Sequence, residues 1–503
     1  MTYLRPGVYV EESLNLIPPV AGSASTSVAA FMGATDKGPT VPTLVSSWSQ
    51  YTSLFGSWGT NNDVTTAVYL FFSNGGSQCY ITRVVASDAV AAHRTFNDTN
   101  GSPAATLTLT AKSVGAWGNA LNVSILASTL GADYFDLVVY SGGSGAANIV
   151  ERFTDISMNV ADTRYAIHVI NGSSAYLTAS DANASDSYQS TDNPATASNL
   201  SLSSGSNGTA LTTANIAAGV SAFDTINTPM VLNIPGLTDS TDINSVITYI
   251  DARNDIFLVV DPIVDTVSAQ LTLAGAYTTS SQVAVYYPSL TIPDPTTSAV
   301  GATKVVPSGG AVVGQIVATD ASRGVFKSPA GLGTRISGVV SVAPLTNADL
   351  DALNSGTYNG TVYAPVNAIR YVAGSGIVIM GARTIKPGYA DRYVSVSRSL
   401  IYLNKALSDL TQFAIFEPND FRLWRRITAS VNAFLTDFWS QGGLRGATPS
   451  AAFFVKCDAE NNTSASIDNG EVNIEIGVAL QRPAEFVVIR ISQYDSGAVV
   501  TIA

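Results

Sequence analysis

Few residues in this 503-residue chain are of a type that does chemistry, and their spacing does not assemble them. The only histidines are His93 and His168. A Ser-His-Asp hydrolase would need one of them, together with a G-x-S-x-G turn that the chain lacks. Each histidine therefore reads as structural or surface-exposed. Cys79 and Cys457 lie too far apart in sequence for a zinc or redox motif, and read as two buried, reduced thiols. No G-x-x-x-x-G-K-[ST] loop is present, and the glycines after Leu232 to Pro235 do not form G-x-G-x-x-G. Asp458, Glu460, Asn462 and Ser464 alternate like the start of a calcium loop, but Thr463 replaces the glycine of the sharp turn and Asn469 the bidentate glutamate. A polar hairpin loop is the expectation there. The sequons at Asn97, Asn122 and Asn207 are chance in so Thr-rich a chain, and Asp133 with Asp136 is too ordinary a pair to nominate a glycosidase. No catalytic, cofactor-binding or metal-ligating residue is expected, and no cofactor.

The elements around these positions are more informative. Residues 1–20 read as an extended arm, too Pro-rich for a central strand. Ser27 to Gly33 reads as a buried strand, Trp48, Tyr51, Leu54 and Phe55 as a helical stripe ending at Gly56, and Val64 to Phe72 as a second helix before a strand over Gln78 to Val85. From about 95 to 220 the chain is crowded with Ser, Thr, Asn, Ala and Gly, and carries 3 basic and 9 acidic residues. Alternating runs at Thr106–Thr110, Leu121–Ile125 and Phe135–Tyr140 predict strands, while Ala179 to Gly208 predicts an exposed, soft end. Met230–Pro235, Thr241–Asn254, Ile256–Asp261, Ser268–Ala276 and Gln282–Tyr287 read as a βαβαβ unit, which calls for a parallel sheet. Further on, Leu400, Leu403, Leu407 and Leu410 make one apolar helix stripe. Asn419 or Asp420 caps the next helix, whose expected buried face is Phe421, Trp424, Val431, Leu435 and Phe438. Two strands, Glu471–Ile476 and Glu485–Ser492, are expected to close that domain before an apolar tail.

The expected fold class is α/β and α+β multidomain: a core from N- and C-terminal parts, a βαβ-containing domain and a β-rich inserted outer domain. The boundaries are an arm at 1–20, the N-terminal part of the core at 21–94, the insert at 95–220, the βαβ-containing domain at 221–369, the C-terminal core domain at 370–495 and a C-terminal arm strand at 496–503.

Composition sets the limits. Hydrophobic residues make up 46% of the chain and charged ones only 12%, which excludes general disorder. The net charge of -12 argues against phosphate-backbone binding as the main activity. That charge is uneven: residues 1–369 carry net -13 and residues 370–503 net +1. The most apolar run, Tyr371 to Ala382, is too short to span a bilayer, so no direct membrane insertion is expected. No secretory signal pattern opens the sequence.

A series of short motifs carries a resemblance. Arg5 to Glu12 (R-P-G-V-Y-V-E-E), Val28 to Ala34, Lys37-Gly38-Pro39 and Phe55-Gly56 come first. Pro307 to Gly310, Val313-Gly314, Ala318 to Asp320 and Arg323 to Ala330 follow, then Gly381 to Thr384, Phe416 to Asn419 with Leu423-Trp424, Gly446, Ala452 to Asp458 and Pro483 to Phe486. In this order they resemble the contractile tail sheath proteins of bacteriophages, over roughly residues 1–85 and 225–503. Met380 stands where that pattern has tryptophan, and residues 95–220 match nothing in it.

The resemblance implies a non-enzymatic structural subunit that polymerises as stacked hexameric rings around a tail tube and contracts to drive the tube through the host envelope. The implied partners are copies of itself, the tail tube protein, and baseplate and tail terminator proteins, with no nucleic acid. The implied location is the virion tail, with assembly in the host cytoplasm. Two alternatives are the sheath of a phage-derived, tailocin-like injection system and, more distantly, a surface-exposed β-rich adhesin. Two sets of site residues follow from this reading. Val8, Tyr9 and Val10 of one arm, and Val499, Val500 and Ile502 of the other, are candidates for strand exchange between subunits. Arg422, Arg425 and Arg426, in the relatively basic C-terminal part, are candidates to face the tube.

Overall fold

The computed structural model describes residues 28–59, 62–183, 188–237, 239–262, 266–388 and 392–485. The arm residues Val8, Tyr9, Val10, Val499, Val500 and Ile502, and the strand expected over 485–492 from residue 486 onward, lie outside the described residues. The chain divides into a larger unit, built from residues 27–322 and 328–394, and a smaller one that includes residues 323–327 and 395–485.

The larger unit begins with strand β1 (Ala29–Gly33), β2 (Thr43–Val45), helices α1 (Trp48–Phe55) and α2 (Asn62–Ser73), and β3 (Cys79–Arg83). Ser47 caps α1 by accepting from the Gln50 amide, Tyr51 and Phe55 are its buried residues, and Gly56 at φ +98° ends it. Every residue of β1 is buried, as a strand covered on both faces must be. Phe31 meets Phe71 of α2 edge-on at 5.4 Å.

The insert follows: β4 (His93–Asn97), β5 (Ala105–Ala111), β6 (Leu121–Ala127), β7 (Phe135–Ser141), β8 (Ile149–Ile156), α3 (Ala166–Ser173), β9 (Leu177–Asp181) and β10 (Ala197–Ser201). These strands form two antiparallel sheets, ordered β10-β6-β7-β8 and β4-β5-β9, around a core that includes Leu107, Leu121, Leu137 and Ile170. The polar stretch after residue 187 is mostly exposed or half-buried, as expected, but it carries β10 and is anchored to the core of the insert. Leu202 is buried in the core, and the buried Asn193 side chain accepts from Met158 N at 3.0 Å and donates to Ala132 O at 2.9 Å. Side-chain hydrogen bonds do here what apolar periodicity does elsewhere.

Helix α4 (Thr213–Ser221) leads into β11 (Met230–Asn233), α5 (Ser240–Arg253), β12 (Ile256–Val260), α6 (Val267–Gly275) and β13 (Val283–Tyr287), the expected βαβαβ run. The unit is completed by β14 (Leu290–Pro293), β15 (Thr303–Val306), α7 (Gly309–Arg323), β16 (Ser341–Val342), α8 (Asn347–Ser355), the small hairpin β17 (Thr357–Tyr358) and β18 (Thr361–Val362), and β19 (Asn367–Val372) with β20 (Gly376–Ile379). One eight-stranded sheet runs β2-β3-β1-β11-β12-β13-β19-β20, with only the edge strands β2 and β20 antiparallel to their neighbours. This corrects the expected grouping. The N-terminal strands join the βαβαβ unit, because β1 pairs parallel with both β3 (Ala29 opposite Cys79) and β11 (Ala29 opposite Val231). Ala30, Met32, Leu232, Leu258 and Val285 pack in one core with Ile216 and Val220 of α4.

In the smaller unit, α9 (Val394–Thr411), whose last residues 395–411 belong here, and α10 (Phe421–Ser440) precede α11 (Pro449–Ala452), β21 (Phe453–Lys456), α12 (Ser464–Asp468) and β22 (Glu475–Val478). Leu403 and Leu410 pack with Leu423, Ile427, Val431, Leu435 and Phe438, joined by Val325. Two expected core residues of α10 are corrected. Phe421 is 58% exposed and Trp424 only half-buried, because the stripe that fits the core runs Leu423-Ile427-Val431-Leu435. Phe421, two residues before Leu423, is about 200° away from it around the helix. The cap is Asp420, whose Oδ1 accepts from the amides of Arg422 and Leu423. Asn419 instead accepts from Trp424 Nε1 at 2.8 Å and donates to Glu471 O at 2.9 Å. The strand expected over 471–476 lies later, at Glu475–Val478, where its partner β21 fixes the register with Phe453 opposite Val478.

Candidate functional site

The few chemically able residues are not brought together. His93 and His168 are exposed, on β4 and α3. Cys79 and Cys457 are free and buried, and burial pushes both thiols up. Residues 457–474 connect the strands of a hairpin, as expected of a polar loop. Within it the Asn462 amide donates to Asp458 O and Asn473 O at 3.1 Å each, and its Oδ1 accepts from the Asn473 amide.

The place where a parallel sheet usually holds a ligand is the crevice at the strand ends where the strand order reverses. Here that point lies between β1 and β11, and the chain's own atoms occupy it. The amide of Gly309, at the start of α7, donates to Asp261 Oδ1 at 2.6 Å. Asn233, at the end of β11, donates to Asp261 Oδ2 at 3.2 Å and to Val259 O at 3.0 Å. A Cβ on Gly309 would fall 2.2 Å from Asp261 Oδ1, and one on Gly310 would fall 2.2 Å from Ala67 O of α2. The P-S-G-G run thus lets α7 seat its N-terminus directly on a carboxylate of the sheet. Burial raises the Asp261 pKa to about 7; the bonds from Asn233 and Gly309 oppose that rise and the charge of Asp63 adds to it. The positive end of α7 thus meets an internal acidic side chain at the ends of β11 and β12. Sequence reasoning missed Asn233 and Asp261; the glycine pair was the signal available.

A second local arrangement fixes the insert. Arg83, at the end of β3, donates to the carbonyls of Thr35 at 3.0 Å, Asp36 at 3.2 Å and Val114 at 2.9 Å. Burial lowers its pKa to about 10, partly offset by the charge of Asp36. Lys37 lies over the rings of Trp117 at 5.8 Å and Tyr176 at 5.0 Å, and the Gly38 amide donates to Ser113 Oγ. The Lys37-Gly38-Pro39 motif is therefore the seat of the insert on the sheet.

The three arginines nominated from sequence lie together in the first two turns of α10. Arg422, Arg425 and Arg426 are all exposed. Among the described residues none of them has a carboxylate within ion-pair distance; Arg422 lies 5.7 Å from the Phe421 ring centre and Arg426 4.3 Å from that of Phe413. Cations at a helix N-terminus oppose the helix dipole, so intrinsic helix energetics do not account for them. In the same unit β21 and β22 form a sheet of only two strands among the described residues, with Phe454 54% exposed. So small a sheet is marginal alone, and its edges are where an added strand from outside would pair.

The chain is similar in fold to contractile sheath subunits. It superposes on the sheath of an extracellular contractile injection system, PVC, in its contracted state, with a TM-score of 0.61 at 20% identity over 98% of this chain and 99% of that one. The contracted helical sheath of the anti-feeding prophage gives 0.60 at 22% identity, covering 98% and 100%. The sheath tail protein of Listeria innocua gives 0.61 at 14% identity, covering 92% and 96%. Residues 390–493 match the phage tail sheath C-terminal domain family. The tail sheath protein of Vibrio phage KVP40 is 29% identical over 187 residues, 37% of this chain and 26% of that protein's length. The chain thus has a sheath-type fold, and residues 390–493 are similar to the phage tail sheath C-terminal domain. The family resemblance carried by the motif series is borne out.

Proposed function

We propose that this chain is the repeating subunit of a contractile tail sheath, assembled as stacked hexameric rings around a tail tube and contracting to drive that tube through the host envelope. The observation that carries this reading is the match of nearly the whole chain to sheath subunits, two of them in contracted assemblies. In this reading the protein is non-enzymatic and works in the particle's tail after assembly in the host cytoplasm. The C-terminal part, 370–495, faces the tube through Arg422, Arg425 and Arg426, and the insert, 95–220, faces outward. Baseplate and terminator proteins meet the two ends of the stack. The injection-device sheath is the second reading, favoured by the likeness to the PVC and anti-feeding prophage sheaths.

The physical link between subunits is strand exchange. Val8, Tyr9 and Val10 of one arm, and Val499, Val500 and Ile502 of another, add strands to the β21–β22 sheet of neighbouring copies, a β-augmentation. About five exchanged hydrogen bonds at ~1 kcal/mol each, with burial of each apolar arm residue at roughly 1.5–3 kcal/mol, stabilise the link, and the ordering cost of the arm offsets part of that. Such links flex without breaking, so subunits rotate and slide as rigid bodies from a metastable extended lattice to a contracted one. The energy is stored at assembly, which needs no nucleotide. Electron microscopy of the purified protein tests the reading: hollow tubes of uniform diameter are expected, and persistent monomers under all assembly conditions would overturn it.

A further inference from the structure

The turn between α9 and α10, residues 412–420, breaks two local rules at one place. Phe416 has φ +65°, a region that L side chains other than Asn and Asp rarely enter and that is an outlier for a bulky residue. Its ring is fully exposed, at 103% of the reference area, and its neighbour Ile415 is 65% exposed. Among the described residues, neither feature buries apolar surface. A chain under no other constraint would place Gly or Asn at the left-handed position and turn the ring inward. Backbone strain at an exposed aromatic is a mark of function rather than of packing. The same end of the helical pair carries exposed Phe421 and the guanidinium groups of Arg422, Arg425 and Arg426, which lack carboxylate partners among the described residues.

We infer that Phe416 is an aromatic anchor, held outward by its strained backbone, that inserts into an apolar recess of an acidic protein surface while Arg422, Arg425 and Arg426 pair with the acidic rim. The occupant follows from charge complementarity: three cations without carboxylate partners among the described residues, on the helix that follows an exposed apolar ring, suit a surface that carries anions beside an apolar hollow. This rests on the proposed function, within which that surface belongs to the tail tube. Aromatic and arginine side chains are the residue types that most often dominate such contacts. The conformation also separates binding from stability, because the residues that best tolerate φ +65° lack the ring.

The test uses the full-length chain, preassembled tubes of the particle's own tube protein, and the variants Phe416→Gly and Phe416→Asn. Both are expected to melt at or above the wild-type temperature and to form tube-free sheath polymers as wild type does, while binding tubes roughly 30-fold more weakly. Phe416→Leu, which keeps an apolar knob, is expected to retain most of the binding. Tube binding within about twofold of wild type for both ring-less variants would overturn the inference while leaving the sheath reading standing. Equal loss of tube-free polymerisation would also overturn it, by assigning Phe416 to a contact between sheath copies. A wild-type chain that polymerises alone and ignores tubes would remove the tube as occupant without touching the sheath fold.

Discussion

The insert and the C-terminal unit are both rich in polar surface, yet they treat it in opposite ways. In the insert several acidic side chains bond to the insert's own backbone. Asp98 accepts from the amides of Asn100 at 3.2 Å and Ala104 at 2.9 Å, Asp162 from that of Arg164 at 2.8 Å, and Glu151 from that of Ala175 at 2.6 Å. Those bonds hold the Asp98 and Asp162 carboxyls below the usual carboxylate range, the backbone amides being the main cause. In the C-terminal unit, by contrast, three guanidinium groups, a strained Phe416 and a two-stranded sheet are left without such partners among the described residues. One region meets these groups from within, and the other, in the proposed reading, meets them from neighbouring molecules. The low charge of the chain, 12%, suits a molecule whose main contacts are with other protein surfaces, where charge is depleted at interface cores.

The strongest way to break this contrast is to remove the arms proposed to complete the C-terminal unit. Chains lacking residues 1–20 or 496–503 are expected to fold with wild-type circular dichroism and to form no long polymers. Normal polymers from both truncations in negative-stain images would end the strand-exchange proposal. The next effect is one of stability within the C-terminal unit itself. Ile427→Ala, at a fully buried position, is expected to cost about 2–5 kcal/mol, whereas Phe421→Ala should stay within about 0.5 kcal/mol. Denaturant titration of both variants measures the difference, and equal costs would restore Phe421 to the core.

A comparable but pH-dependent effect is expected at Asp261. Its folded pKa of about 7 lies above the unfolded carboxylate value of 3.8, so the folded state holds the proton more tightly. The resulting stabilisation is fully present below pH 3.8 and is lost as pH rises through about 7. Its size is of the order of a few kcal/mol. Comparing wild type with Asp261→Asn isolates it: the difference in unfolding free energy between the two should shift against wild type from pH 4 to pH 8. A pH-independent difference would mean that the carboxylate is better solvated than its burial indicates.

What the sequence discloses depends on the range of the interaction. The βαβαβ elements and the helices α1, α2, α9 and α10 are legible because apolar periodicity is local and each element carries its own punctuation, such as Ser47, Gly56 and Asp420. Strand order is not local, so the placement of β1 between β3 and β11, which joins residues 29–33 to 230–233, has no counterpart in any window of sequence. The same holds for Asp261, whose partner Gly309 lies 48 residues on, and for Asn193, whose bonds reach Met158 and Ala132 from a stretch that reads as low-complexity. The arginines of α10 are legible as a charge cluster, because exposed charge on an amphipathic helix is a local pattern. Phe416 is not, since a positive φ at a non-glycine residue leaves no mark on the sequence that adopts it.

The smallest expected effect is also the one that separates the two kinds of surface most cleanly. Replacing Arg422, Arg425 and Arg426 together with Ser removes three cations from the positive end of α10, where each opposes the dipole. If they served the fold, their loss would destabilise it; none has a carboxylate partner among the described residues, so the reverse is expected. The triple variant should gain a few tenths to about 1 kcal/mol in stability at low ionic strength, a gain that salt screens. Its binding to preassembled tubes should fall and lose most of its salt dependence, while tube-free polymers form as before. Reduced stability together with unaltered sheath–tube assembly would move these arginines into the class of the insert's aspartates, as groups whose partners lie within the chain.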